Sequence, residues 1–266
     1  MLVDTRWNAW NEEITVQVTE GAALGSAARR VGALLAEAEA ACSLRRGDAE
    51  IHAVNLAQGQ PVRVSASLAR LLRSALWVAR MTDGAISPLA TAQSPIGVPP
   101  IHPDLTFADV RIDDATVFAP FGASFDITGA AKADTAGRAA TLAAGELECG
   151  VLVRVGTVVA AGGHPPAGGW QVPIAGNGTI ELPPGGAFAT AGPDPDRGPD
   201  DALPGAWAQV SVITDDAVWA YGAAAAALRR GVGAVSWLQE QDLAARLVDR
   251  GGRVHATAAW QRPHAA

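Results

Sequence analysis

An α+β fold is predicted by three features of the 266-residue sequence: alternating β-branched segments, helical segments with one apolar stripe, and no regular βαβα order between them. Elements so arranged make mixed sheets flanked by helices. One domain over residues 1–266 is expected, because no internal repeat and no linker-like composition interrupts the chain.

Residues 12–18, EEITVQV, alternate and are β-branched, so they read as a half-buried strand. GSAARRVGALLAEAEAACS has apolar residues at 31, 34, 35, 38 and 42, one face of a helix, with Ser26 as its candidate N-cap. LRRGDAEIHAVNLAQG is polar and turn-rich and reads as a connection. VSASLARLLRSALWVARMTDG is a second amphipathic helix, begun by Ser65 or Ser67 and ended near Gly84. Residues 85–106 hold five prolines and little periodicity, and so long a connection reads as a functional or covering loop.

VRIDD and TVFAPFG form a hairpin and FDITG leads into a helix. KADTAGRAATLAAGELE is that helix, alanine-rich on every face and so packed against a sheet. Strands return in VLVRVGTVVAAGG, WQVPIAG and GTIELPPGGAFATAG. PDPDRGPDDALPG lacks any apolar pattern and predicts a mobile surface loop over 193–206. AQVSVIT is a buried strand, and DDAVWAYGAAAAALRRG a helix capped by Asp215 or Asp216 and stopped at Gly231. VSWLQEQDLAARLVDRGG with RVHATAAW adds a helix and a last strand.

With 49% hydrophobic and 18% charged residues, the chain is globular rather than disordered. Its net charge of -7 argues against nucleic acid or an anionic membrane, which need clustered positive charge, and leaves a small molecule or a protein as partner. No basic segment precedes an apolar one at the N-terminus and no run approaches membrane-spanning length, so a cytoplasmic placement is expected. Cys42 and Cys149 are too few for a disulfide framework and lack metal-ligand spacing, which predicts reduced thiols.

Lys132 is the only lysine, the remaining 19 of the 20 basic side chains being arginine. It stands in FDITGAAKADTAGRAA, residues 125–140. There Gly129 and its small neighbours let a backbone approach a phosphate, the following helix offers unpaired N–H groups at its positive end, and lysine supplies a point charge. The plain alternatives are a lysine on a solvated helix face and Asp126 as an N-cap.

Phe125 to Lys132 resembles the L-D-L-G-G-I-A-K-G segment of the ApbE-type flavin transferases, and Thr135 to Ala140 resembles the helix that follows it. Other segments fall in the family's order. Cys42-Ser43 through Ile51 resembles S-T-Y-x-P-D-S-E-I, Thr82 to Pro88 resembles T-D-G-A-F-D-P, Val153 to Val158 resembles V-N-L-G-G-D, and Ala189 to Gly192 resembles A-T-S-G. The resemblance covers roughly the whole chain. It implies a T-fold-related domain, FAD and magnesium as cofactors, and transfer of FMN from FAD to a threonine or serine of a target protein. Carried over residue by residue, it implies flavin contacts from Ser43, Ala85, Ile86, Ser87, Asp126, Thr128, Gly129, Lys132 and Gly156, with the Gly129 backbone also facing the metal. No catalytic residue and no oligomeric state follows from it.

Departures concentrate at the metal. Where the family's A-D-A-L-A-T segment places an aspartate and a threonine one helical turn apart, this chain has Tyr221 and Ala225, which are not expected to bind magnesium. Val158, Ser87 and Arg45 likewise replace two aspartates and a flavin-stacking tyrosine, PDPDRGPDDALPG stands in for H-I-I-D-P-x-T-G, and Trp10-Asn11-Glu12 matches the first motif, M-G-T, only loosely. These changes predict either a transferase with an altered metal site or a repurposed relative that binds flavin, another small ligand or a protein partner without transfer. His52, His102, His164, His255 and His264 are dispersed without ligand spacing. The eight tryptophans read as core filler for an alanine-rich chain or as stacking surfaces for a flavin ring.

Overall fold

The computed structural model describes residues 2–90, 104–174, 178–192 and 206–260, and the expected loop at 193–206 falls almost wholly outside them. Helix and sheet are mixed as expected. Two compact units divide the chain, Met1–Val31 with Ala136–Ala266, and Gly32–Thr135. Both divisions fall inside helices, so no linker composition marks them.

In the first unit an eight-stranded antiparallel sheet has the order β1-β2-β6-β7-β10-β11-β12-β13. Its strands are β1 (Val3–Ala9), β2 (Glu12–Val18), β6 (Val151–Val155), β7 (Val158–Gly162), β10 (Ala187–Ala191), β11 (Trp207–Thr214), β12 (Ala244–Asp249) and β13 (Val254–Ala256). Trp10 and Asn11 join β1 to β2 with φ of 50° and 58°, the two-residue turn whose twist suits a hairpin. The segment matched loosely to a strand motif is therefore this turn and the start of β2.

On one face of the sheet lie the second half of α4 (Thr128–Leu147) and α5 (Ala217–Arg230). A β-carbon on Gly162 would fall against Ala140 and Ala144, and one on Gly137 against Ala217 at 3.2 Å. Alanine and glycine thus set a close helix-to-sheet distance. The opposite face carries Leu152, Val159, Ala161, Phe188, Ile213 and Ala244, covered by Trp170, Val172 and Leu182 of the hairpin β8 (Trp170–Ile174) and β9 (Gly178–Leu182). Trp10, Trp170 and Trp207 are buried, as core filler.

The second unit holds the later part of α1 (Leu24–Cys42), α2 (Ile51–Asn55), α3 (Ala66–Met81) and a three-stranded sheet in the order β3-β5-β4, from β3 (Val62–Arg63), β4 (Arg111–Asp113) and β5 (Thr116–Phe118). The Ser65 hydroxyl accepts the Leu68 N–H, settling the choice between Ser65 and Ser67. Glu50 completes this cap, accepting the Ser65 N–H and hydroxyl at 2.6 Å each.

Several local expectations are corrected. Ser26 lies inside α1, which starts at Leu24 after a 3-10 turn at Gly21–Ala23, and its hydroxyl instead accepts from Arg29. The connection at 44–59 contains α2, too short for periodicity to reveal. Helix α4 begins at Thr128, so Gly129, Ala130 and Ala131 are its first turn rather than a turn before it. Two strands, β12 and β13, follow α6 (Ala234–Glu240) where one was expected.

Candidate functional site

Eight of the nine residues expected at a flavin belong to the second unit, and the backbone ties most of them together. Asp126 N–H donates to Pro88 O at 2.9 Å, Ala90 N–H to Ser124 O at 2.8 Å, and Leu89 bridges Phe125. The turn holding Ala85, Ile86 and Ser87 therefore runs beside the start of α4. That turn is built by buried Thr82, whose hydroxyl donates to Val78 O at 2.8 Å and accepts the Ile86 N–H at 3.2 Å. Asp83 and Gly84 reverse the chain with φ of 52° and 77°, and the Ser87 hydroxyl accepts the Leu89 N–H at 3.1 Å.

Asp126 forms an Asx turn into α4, its carboxylate accepting the Thr128 N–H at 3.2 Å, and stands one residue before the N-cap position rather than at it. Thr128, Gly129 and Lys132 are half-buried and, three and four residues apart, share one face of the first turn. Ser43 is buried just past the end of α1. Its neighbour Cys42 is buried, its thiol donating to Ala38 O at 3.3 Å. Burial, then the Asp126 charge, pushes the Cys42 thiol from 9.0 up to about 12.

Four supporting residues escaped the sequence reading. Buried Asn55 pairs with Phe125 as a strand would, accepting its N–H at 2.8 Å and donating to its carbonyl at 3.2 Å. Nearly two turns into α4, Asp134 forms an ion pair with Arg70 and accepts the Ser74 hydroxyl at 2.7 Å. These partners are 60 and 70 residues apart in sequence, beyond any local signal. His52 bonds Arg46 O through Nε2 at 2.9 Å, and Arg45 is exposed.

The first unit holds Gly156, Tyr221 and Ala225. Gly156 turns β6 into β7 with φ of 56°, its N–H donating to Glu13 O at 3.1 Å, and a β-carbon there would strike the Glu12 carboxylate. The left-handed backbone favours glycine there, since the Glu12 carboxylate is the end of a flexible side chain and can move. On α5, Ala220, Ala223, Ala224 and Ala227 are buried, while Tyr221, Ala225 and Arg229 form the more open stripe at four-residue spacing. Asp216 caps this helix by accepting the Trp219 N–H at 2.8 Å.

A family model described as the ApbE family matches residues 10–247. The chain belongs to the ApbE family. Its fold is shared with the Pseudomonas stutzeri flavinyl transferase ApbE in apo form, at 19% identity, a TM-score of 0.80 and coverage of 98% of this chain and 96% of that one. It is likewise similar to the Thermotoga maritima ApbE protein (18% identity, TM-score 0.81, 98% of each chain) and to the Vibrio cholerae flavin transferase ApbE (16%, 0.72, 98% of each). Among the curated proteins nothing matches.

For an ApbE-family chain the start of α4 suits a phosphate-bearing ligand: a helix N-terminus, small residues and one lysine on a single face. The Asp126 carboxylate already takes one of its N–H groups. Magnesium does not fit α5. It demands octahedral oxygen ligands, which a neutral phenol and a methyl group do not supply, and no group of three His, Cys, Asp or Glu among the described residues could hold a metal ion. The nearby Asp216 is engaged as a cap. Also among the described residues, no helix is long and apolar enough to cross a membrane.

Proposed function

We propose that this chain binds a flavin nucleotide, FAD, with its phosphates at the first turn of α4, and works in the reaction class of FMN transfer to a threonine or serine of a target protein. The observation that carries this reading is the gathering of Asp126, Thr128, Gly129 and Lys132 beside the Ala85–Ser87 turn. Lys132 supplies the point charge, the first-turn N–H groups the directed donors, and Asp126 holds the turn's geometry. Ser43, buried just past the end of α1, is proposed as a further flavin contact. In the transfer, a target hydroxyl oxygen bonds the FMN phosphorus, the pyrophosphate P–O bond breaks, AMP leaves with the bridging oxygen, and the hydroxyl proton passes to solvent. The proposed compartment is the cytoplasm, where two buried free thiols stay reduced.

Helix α5 favours a second reading, in which flavin is bound and not transferred. Tyr221 and Ala225 take the places of the oxygen ligands that would offset negative charge on the reacting phosphoryl group. Losing one such charge-stabilising contact costs about 10²–10³ in rate. Titration of the purified protein with FAD, followed by AMP release with and without magnesium, separates the two. Lys132→Ala is expected to weaken FAD binding about tenfold, the scale of one charge-assisted hydrogen bond. FAD binding with AMP release supports transfer and FAD binding alone supports the second reading, whereas no FAD binding refutes both.

A further inference from the structure

A cavity of about 660 Å³ opens in the first unit, at the far end of β2, β6 and β7 from the Gly156 turn. Its walls include Gln17, Thr19, His164, Pro165, Pro166 and Gln171, none of them a residue of the proposed flavin site. Hydrogen bonds fix the polar wall in place. The Gly150 N–H donates to Thr19 Oγ1 at 2.9 Å, Thr19 Oγ1 and His164 Nε2 are 3.2 Å apart, and Gln171 Nε2 donates to Gly168 O at 2.8 Å. A β-carbon on Gly150 would meet both His164 O and Thr19, so this corner tolerates only glycine.

The chemistry of the walls selects the ligand. Among the described residues no Asp, Glu, Lys or Arg lines the cavity. Two carboxylates stand near it, Glu181 behind Gly169 and Asp4 opposite Gln17 in the β1–β2 register, and both disfavour an anion. A phosphate would enter with no lysine or arginine to offset its lost hydration. Two prolines without N–H groups give an apolar wall. The half-buried Gln17 carboxamide has no partner among the described residues and presents a donor beside an acceptor. A cyclic amide or imide carries the complementary pair on one edge, and the volume lies in the range of about 300–1,000 Å³ usual for small-molecule sites. We propose that this cavity is a second binding site, for an uncharged ligand with a cyclic amide or imide edge, separate from the flavin-nucleotide site.

Uracil serves as the probe and orotate, the same ring with a carboxylate added, as its charged counterpart. Uracil titrated into the ¹⁵N-labelled full chain is expected to give saturable amide shifts at Thr19, Gly168, Gly169 and Gln171, with orotate at least about tenfold weaker. Gln17→Ala is expected to weaken uracil about fivefold or more, the scale of one lost hydrogen bond. Ala167→Trp, on the exposed rim, fills the cavity and abolishes binding. An isoalloxazine ring shares the imide edge, so the titration is repeated with saturating FAD, and the uracil shifts are expected to persist. The proposal is overturned by an absence of saturable shifts at these residues, by orotate binding as well as uracil, by displacement with FAD, or by uracil binding unchanged in both variants.

Discussion

Replacing Gly162 with alanine tests whether α4 rests on the sheet as closely as the composition implies. A β-carbon built there falls on the Ala140 carbonyl, with the carbonyl carbon at 2.7 Å and the Ala144 β-carbon at 3.1 Å. An ordinary carbon–carbon contact is about 3.5 Å, so the helix backbone must retreat by about 0.8 Å. Overpacking of this kind costs about 2 kcal/mol, or roughly 4–8 °C in Tm for a chain of this size. Melting followed by far-UV circular dichroism reads the shift. Because the tightest contact is with backbone, removing the second contact by Ala144→Gly is expected to leave the loss in place. A Tm within about 1 °C of wild type, or full rescue by Ala144→Gly, would refute the packing argument.

Asn55→Ala strands the Phe125 N–H and carbonyl in the core, an expected loss of about 2–4 kcal/mol, and shifts the lead-in to α4, so FAD affinity should fall along with the urea midpoint. Unchanged FAD affinity in a destabilised variant would separate Asn55 from the site. The Cys42 thiol, raised from 9.0 to about 12, should resist iodoacetamide in the native protein at about pH 8. Since the folded state holds that proton more tightly, its stabilisation is complete below about 9 and is lost as pH rises towards 12. Urea midpoints should therefore fall more steeply above about pH 9 in wild type than in Cys42→Ala.

The parts legible in the sequence are those that local periodicity or capping specifies. EEITVQV, the Ser65 cap and the Asp216 cap sit where their patterns put them. Strand β1 was not legible although VDTRWNA alternates, because its inward residues Val3, Thr5, Trp7 and Ala9 include only one β-branched apolar side chain and none is fully buried, unlike Ile14, Val16 and Val18 of β2. Helix α2 has five residues, fewer than two turns, and so no period. At the candidate site, the FDITGAAK segment announced a helix start through its glycine and lysine, yet its supports are long-range. Asn55, Arg70 and Ser74 each look like ordinary surface polar residues until folding brings Phe125 or Asp134 to them.

The substitutions on α5 are not explained by packing. The alanines that press on β10 and β11 are the buried ones, whereas position 225 is half-exposed. Position 221 is also half-exposed, and an aspartate is smaller than the tyrosine it would replace. Helix propensity alone costs about 1 kcal/mol for aspartate and threonine together, too little to unfold a domain of ordinary stability. Tyr221→Asp with Ala225→Thr is therefore expected to fold, with a Tm within about 6 °C of wild type. It would put oxygen atoms back at four-residue spacing on the open stripe of the helix, and magnesium-dependent AMP release from FAD should then exceed that of wild type by about tenfold or more. If the folded double variant shows no such gain, the substituted ligands are not what limits transfer in this chain, and the other replaced positions, Val158 and Ser87, become the ones to restore.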